Sequence, residues 1–462
     1  IVYIDKTLLM NNDLDIQNGY LRVNNSSSHT ITLNGNLLIA NGSLFDASTS
    51  GSQTHSLLFS GQFQNNGNIN FNTSGGKINI TFSGNTDVNL NGSGVFDFNE
   101  VVVNKANTNN FVDFDKTFTA PDNFLTLLKG EFKVTGNYSV SNNFFKRTGN
   151  DYIIPKEAKF TLNNPNATVN PQPVAGNAIL RGSLQVSQGN FNIGSTGESN
   201  LIYDNTIIDG AANLTINGGI CNIYTALTSP DTNRIIDINL SGGTLKIGSG
   251  SQITTNNAMF DISNSNSSFT WSSGDIELHR SNNNTNYADY RVLSLTNNVT
   301  GGNLIINADA GNQIFEIQSI ASVYNLIQNA INNSNITLRQ DFNVLNNVNL
   351  NGTGTDLFKT NSFVLSIGAD FTNNYGNTDG FNNGTGKVLL NGNATQSIGG
   401  TQQTTFNILS VNKTAGDVEL NIPARINSSL RLISNTIFDL NTNDLILGKN
   451  AKIYSDDGIN DT

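Results

Sequence analysis

Leu184-Gln185-Val186-Ser187-Gln188-Gly189-Asn190-Phe191-Asn192-Ile193 is the stretch from which the fold can be read. Apolar residues hold its first, third, eighth and tenth positions, and a glycine holds the sixth. The same spacing recurs in Leu14-Ile16-Gly19-Leu21-Val23, Leu125-Leu127-Gly130-Phe132-Val134 and Leu214-Ile216-Gly219-Cys221-Ile223. Ile238-Leu240-Gly243-Leu245-Ile247 and Phe269-Trp271-Gly274-Ile276-Leu278 carry it too, and Leu37-Ile39-Gly42-Leu44 carries all but the last position, where Asp46 stands. At this composition, random order would produce roughly one full match, so six are a structural repeat.

Within each half the apolar residues alternate with period two, the signature of a strand whose successive side chains leave opposite faces. The step between the halves is five, an odd number. A flat strand would put the two halves on opposite faces, so the chain must bend near the glycine if all four side chains share one interior. Motif starts lie 23, 88, 59, 30, 24 and 31 residues apart, which reads as one unit per roughly 22–31 residues with some units degenerate. The expected fold is all-β, a single-stranded parallel β-helix (β-solenoid) of about 18 to 20 coils with a few lateral loops. Its expected hand is right-handed, from the crossover preference of parallel strands. A hairpin turning at the glycine competes with this reading, most attractively at Asn217-Gly218-Gly219.

Composition supports a repeat with a core. The chain has 462 residues, beyond an ordinary single core, and 26 Phe and 11 Tyr beside abundant Ile, Leu and Val. Asn makes up about one residue in six; it tolerates the left-handed conformation at corners and can stack as hydrogen-bonded ladders. One Cys excludes a disulfide framework, and Cys221 falls on an apolar position of the repeat. A net charge of -11 disfavours nucleic acid and anionic membrane as partners. No run of 18 apolar residues exists to span a membrane. The start at Ile1 suggests a processed or excised segment.

Three irregularities interrupt the pattern. Ser322 to Ile331 has helical spacing and is expected to form one short helix. Pro155, Pro165, Pro171 and Pro173 make a strand-hostile stretch, read as a loop or break over 142–176 between an N-terminal solenoid block, 1–141, and a C-terminal block, 177–462, continuous with it. His279 to Asn298 reads as a loop leaving the body, and His279, Arg280, Tyr287, Tyr290 and Arg291 are its candidate ligand-binding residues.

A longer duplication also stands out. Phe98-Asn99-x3-Val103-Asn104-Lys105 matches Phe406-Asn407-x3-Val411-Asn412-Lys413, each preceded by Gly-Lys (Gly76-Lys77, Gly386-Lys387) and by Phe63-Gln64-Asn65-Asn66 or Phe371-Thr372-Asn373-Asn374. The repeated cassettes run over about 61–137 and 368–443. Downstream, Leu125-Thr126-Leu127 corresponds to Leu430-Arg431-Leu432. Gly386 to Leu432, with Gln396-Ser397-Ile398 and Phe406 to Lys413, resembles the secreted cell-surface β-helix repeat proteins of Bacteroidota; the first cassette lacks the Gln-x-Ile. The resemblance implies cargo of the type IX secretion pathway, an adhesin or gliding-associated surface protein at the extracellular face of a Gram-negative bacterium. Its implied partners are surface glycans, other cell-surface proteins and the outer-membrane export machinery. It brings no catalytic residues with it.

Parallel β-helices also include polysaccharide lyases and glycosidases, so same-face acids were weighed: Asp113 with Asp115, and Asp275 with Glu277. They alternate with the core set, which is the pattern of a solvated outer face. No catalytic or cofactor-binding residue is therefore assigned. Ser455-Asp456-Asp457-Gly458-Ile459-Asn460-Asp461 resembles one partial calcium-binding repeat, making Asp456, Asp457 and Asp461 weak calcium candidates; a single copy supplies few of the oxygens calcium takes. His29, His55 and His279 are isolated in sequence, so a histidine site would need the fold to gather them. Two functions remain: a non-enzymatic structural or adhesive rod on the cell surface, and a carbohydrate-active enzyme on the same fold. A third possibility is cargo captured with its secretion machinery.

Overall fold

The computed structural model describes residues 1–462 apart from 138–142, 170–175, 196, 251–256, 283–285, 330–332, 353–354, 377–379, 383, 434–435 and 456–462. The chain is all-β and winds into a parallel β-solenoid of about 17 turns, with no helix among the described residues. It divides into two compact units, Ile1–Asn222 and Ile223–Thr462.

In the first unit the opening coils have three short strands each. Val2–Ile4, Leu8–Met10 and Leu14–Ile16 pair in parallel with Tyr20–Val23, Thr30–Leu33 and Leu37–Ile39 of the next coil. Further along, two strands of a coil merge into one long bent strand, as in Leu125–Val134, Ala158–Val169 and Ser183–Ile193. The second unit repeats both forms, with the bent strands Ile236–Ile247 and Ser268–Leu278 followed by three-strand coils such as Asn335–Leu338, Phe342–Val344 and Val348–Leu350. Among the described pairings, residues on neighbouring coils are from 19 apart (Val2 with Leu21) to 33 apart (Leu227 with Phe260), a wider range than the repeat spacing predicts.

The glycine of every motif copy has positive φ, from +64° at Gly219 to +97° at Gly19. This is the bend that lets both halves face inward: Leu184, Val186, Phe191 and Ile193 are all buried. The hairpin reading is excluded. Asn217-Gly218-Gly219 lies inside the single strand Ala212–Ile223, and the two halves of Leu125–Val134 pair in parallel with neighbouring coils and not with each other. At Gly189 an added Cβ would sit 2.4 Å from the Asn164 carbonyl of the adjacent coil, so the corner also needs the missing side chain for space.

Three local readings change. Asp46 does not occupy an inward position: the pairing Leu21 with Phe45 and Val23 with Ala47 shifts that half by one residue, so Phe45 and Ala47 fill the core. Asp46 then lies on the outer side opposite Arg22, whose guanidinium donates to it at 2.6 and 2.9 Å. Ser322 to Ile331 is not helical over its described part. Asn325–Gln328 is a strand with Leu326 and Gln328 buried, held between Asn303–Ile306 and Val348–Leu350; ladder partners on both sides outweigh a helical spacing only one turn long. The described part of the proline stretch carries strands Tyr152–Ile154 and Ala158–Val169, and Pro171 and Pro173 lie outside the described residues. Pro165 is accommodated because the pairing with Ser183–Ile193 skips from Asn163 to Thr168, leaving it where no ladder donor is needed.

The core of the first unit is aromatic. Phe114 alone contacts the rings of Phe82, Phe98, Phe118, Phe124 and Phe132, with centroids from 4.8 to 6.3 Å, distances at which such pairs add to area burial. Cys221 is fully buried, as its position predicts, and burial pushes its thiol up to about 12. Its neighbour Asn222 faces outward and donates to Asn192 of the preceding coil at 3.3 Å.

Candidate functional site

An outward residue in a solenoid stacks on the residue in register one coil away, so a carboxylate's first partner is a coil neighbour. Asp113 follows this rule, whereas Asp115 meets a neighbour in sequence. Asp113 accepts from the Thr135 hydroxyl at 2.7 Å, and Asp115 lies 3.4 Å from Lys116. Burial raises the Asp113 carboxyl above its usual range, with the Thr135 hydrogen bond opposing. Asp275 accepts from Asn303, Asn303 accepts from Asn325, and Asn325 accepts from Asn346, a ladder at 2.7 to 2.9 Å across four coils.

Glu277 belongs to a tighter group. The buried His279 ring places Nε2 2.8 Å from Glu277 and Nδ1 2.9 Å from Asp309, and the Asp309 N–H donates to the His279 carbonyl at 3.0 Å. The hydrogen bond from His279 holds the Glu277 carboxyl below its usual value. His279 thus sits between two carboxylates, one on its own coil and one on the next, and the contacts tie the two coils together.

The other residues expected in the His279 loop separate. Tyr287 and Arg291 come together, the guanidinium 5.3 Å from the ring centroid, and Arg291 also lies 3.6 Å from Asp261. Tyr290 is fully buried and stacks on Phe260 at 5.3 Å; it is a core residue, not a ligand contact. Arg280 packs beside Gly248. The segment is anchored by a residue that the sequence reading passed over. Asp289, fully buried, accepts from the N–H groups of Asn282 at 2.6 Å and Glu316 at 2.8 Å, and burial pushes its carboxyl up to about 7. The signal available in sequence was only an Asp in a polar run.

Histidines do meet elsewhere. His29 and His55, on adjacent coils of the first unit, stack at 5.5 Å, with the His29 N–H donating to His55 Nδ1 at 3.1 Å. Burial, and then His29, lower the His55 value. The calcium candidates Asp456, Asp457 and Asp461 lie outside the described residues. Among the described residues no group of three His, Cys, Asp or Glu side chains could hold a metal ion, and no helix is long and apolar enough to cross a membrane.

A further concavity is one no motif announced. In the second unit an open groove of about 800 Å³ is lined from four successive coils. Its floor is the outer face of Phe342–Val344, Val364–Ile367 and Lys387–Leu390, where Asn343, Ser366 and Leu389 stand in register. Ile320, Gln340, Asp341, Phe363, Val364 and Lys387 are among the other lining residues. Asp341 is already engaged, accepting from the Val364 N–H at 2.9 Å. Sequence reasoning missed the groove because its residues come from separate coils, 23 residues apart, with no shared motif.

No family model matches the chain, and neither a curated protein nor a solved structure is significantly similar to it.

Proposed function

We propose that this chain is a non-enzymatic structural or adhesive β-helical module of the outer cell surface of a Gram-negative bacterium, exported as type IX cargo and binding surface glycans or neighbouring surface proteins. One observation carries the reading most directly. The outward acids are held by contacts within the solenoid, Asp113 by Thr135 and Asp275 by Asn303 of neighbouring coils and Glu277 by His279 of its own coil, and the groove lining holds a single acid, Asp341, where sugar hydrolysis by the common route takes two. The cassette around Gly386 to Leu432 supports the surface assignment through its resemblance to exported repeat proteins.

Incubating the purified chain with a polysaccharide panel should release no oligosaccharide. Depolymerisation abolished by Asp275→Asn or Glu277→Gln would overturn the reading in favour of a carbohydrate-active enzyme. Placement at the surface is checked separately by protease treatment of intact cells carrying the chain, which should remove it. Resistance until the cells are lysed would reject the assignment.

A further inference from the structure

We infer that the groove over Phe342–Val344, Val364–Ile367 and Lys387–Leu390 is a binding site for an extended, neutral, β-linked oligosaccharide lying along the coil stack. The inference rests on the surface-binding reading above and gives it a site. Size is the first argument: about 800 Å³ lies within the range of ligand sites. Lining chemistry is the second. A pyranose in its chair form presents faces of C–H groups and a rim of equatorial hydroxyls, so it needs an apolar surface flanked by amides and hydroxyls. Ile320, Val364 and Leu389 supply the apolar surface, and Gln340, Asn343 and Ser366 supply polar groups.

Repetition is the third argument. Asn343, Ser366 and Leu389 are in register on consecutive coils, so the floor repeats every ~4.8 Å along the stack. A chain of β-linked, equatorially joined pyranoses advances by a similar length per residue, which lets successive sugars meet successive coils. Charge is the fourth. The groove has one cation, Lys387, and one anion, Asp341, and the chain carries a net charge of -11; a polyanionic glycan is repelled at long range and finds one lysine on arrival.

The test titrates cellohexaose, chitohexaose and hexagalacturonate into the whole chain by calorimetry. One or both neutral hexasaccharides should bind and hexagalacturonate should not. Ser366→Arg places a bulky cation on the groove floor and should weaken binding at least tenfold, with the circular dichroism spectrum and melting temperature unchanged. Ser366→Ala keeps the shape and should cost no more than threefold, a control should the arginine variant disturb folding. Leu58→Arg, on an outer strand face of the first unit, should bind as the parent does.

Absence of binding to both neutral probes overturns the inference, and so does binding that survives Ser366→Arg in a folded protein. The latter leaves surface attachment standing and moves the site elsewhere. If Ser366→Arg instead abolishes self-association of the chain, the groove is an interface between copies and the glycan assignment fails. Hydrolysis of a probe that Ser366→Arg prevents would support the groove while overturning the non-enzymatic reading.

Discussion

The cassettes at 61–137 and 368–443 share a lysine that is buried in both places but satisfied differently. Lys105 is 2% exposed and Lys413 is 5% exposed. Lys413 Nζ donates to the carbonyls of Gly392 and Ala394 at 2.8 and 2.7 Å and to the Gln396 side chain at 2.7 Å. Lys105 Nζ reaches one carbonyl, Ser83, at 2.6 Å. Where the second cassette has Gln396, the first has Val88, buried in the core with no polar atom to offer. Gln396 also accepts from the Gly392 N–H and donates to the Ile367 and Ala369 carbonyls, so its amide is fully used. Burial lowers both lysines, Lys105 to about 8 with Asp87 opposing, and Lys413 with Asp417 and Asp370 opposing. The Gln of the Gln-x-Ile element therefore has a physical role: it solvates an ammonium that the coil corner takes out of water.

Aromatic packing gives the largest expected contrast. Phe98 touches the rings of Phe63, Phe71, Phe96 and Phe114, while its counterpart Phe406 touches Phe371 and Phe381. Both changes to Ala should cost about 3–5 kcal/mol, Phe98→Ala the more. Denaturant unfolding with hydrogen exchange to locate the damage would measure this. A larger loss at Phe406 would break the contrast. In a solenoid the loss should concentrate in the mutated coil and its neighbours.

Removing the ammonium should separate the cassettes in the opposite sense. Lys413→Met strands the Gly392 and Ala394 carbonyls and removes one of the two donors to Gln396, and should cost roughly 2–3 kcal/mol, whereas Lys105→Met strands one carbonyl and should cost about 1 kcal/mol or less. Equal losses in chemical denaturation would mean that Gln396 contributes nothing to holding Lys413.

The pH dependence sharpens the same point. A lysine whose folded value is about 8 instead of 10.5 binds its proton less readily folded than unfolded. Its charge therefore costs stability fully below pH 8, and the cost is relieved as pH rises from 8 to 10.5. Exchange protection around Lys105, corrected for intrinsic rates, should increase across that window. Val88→Gln should place an acceptor nearby, raise the Lys105 value and flatten the increase; an unchanged slope would reject the account.

Gln396→Val tests the other side of the Lys413 contact. It withdraws an acceptor from both Lys413 and the Gly392 N–H and a donor from the Ile367 and Ala369 carbonyls, offset in part by replacing a buried amide with an apolar side chain, for a net cost of about 1–2 kcal/mol. The 15N–1H resonance of Gly392 should shift with it. A neutral result with an unmoved Gly392 signal would show that the Gln-x-Ile element has no part in the corner.

Much of the coil itself was legible. Alternating apolar residues around a glycine identify inward faces because a strand has period two and an odd step needs a bend, and Leu184, Val186, Phe191 and Ile193 fill the core accordingly. The same logic fails where one inserted residue resets the alternation, as between Ile39 and Phe45, and Asp46 shows the slip. It also fails at Ser322 to Ile331, where Val323, Leu326 and Ile327 fit a helix as well as a strand until neighbouring coils supply ladder partners.

Sequence by itself determined that this chain coils, which residues line the interior of its regular coils, and that two cassettes repeat. Only the tertiary structure decided which of the remaining residues meet: Glu277 and Asp309 about His279, His29 on His55, three ladder positions on one groove floor, and Gln396 at Lys413. The reason is register. Inward or outward orientation is local, set by the pleat within a few residues, whereas contacts between coils depend on the number of residues in each turn, and that number varies here from 19 to 33.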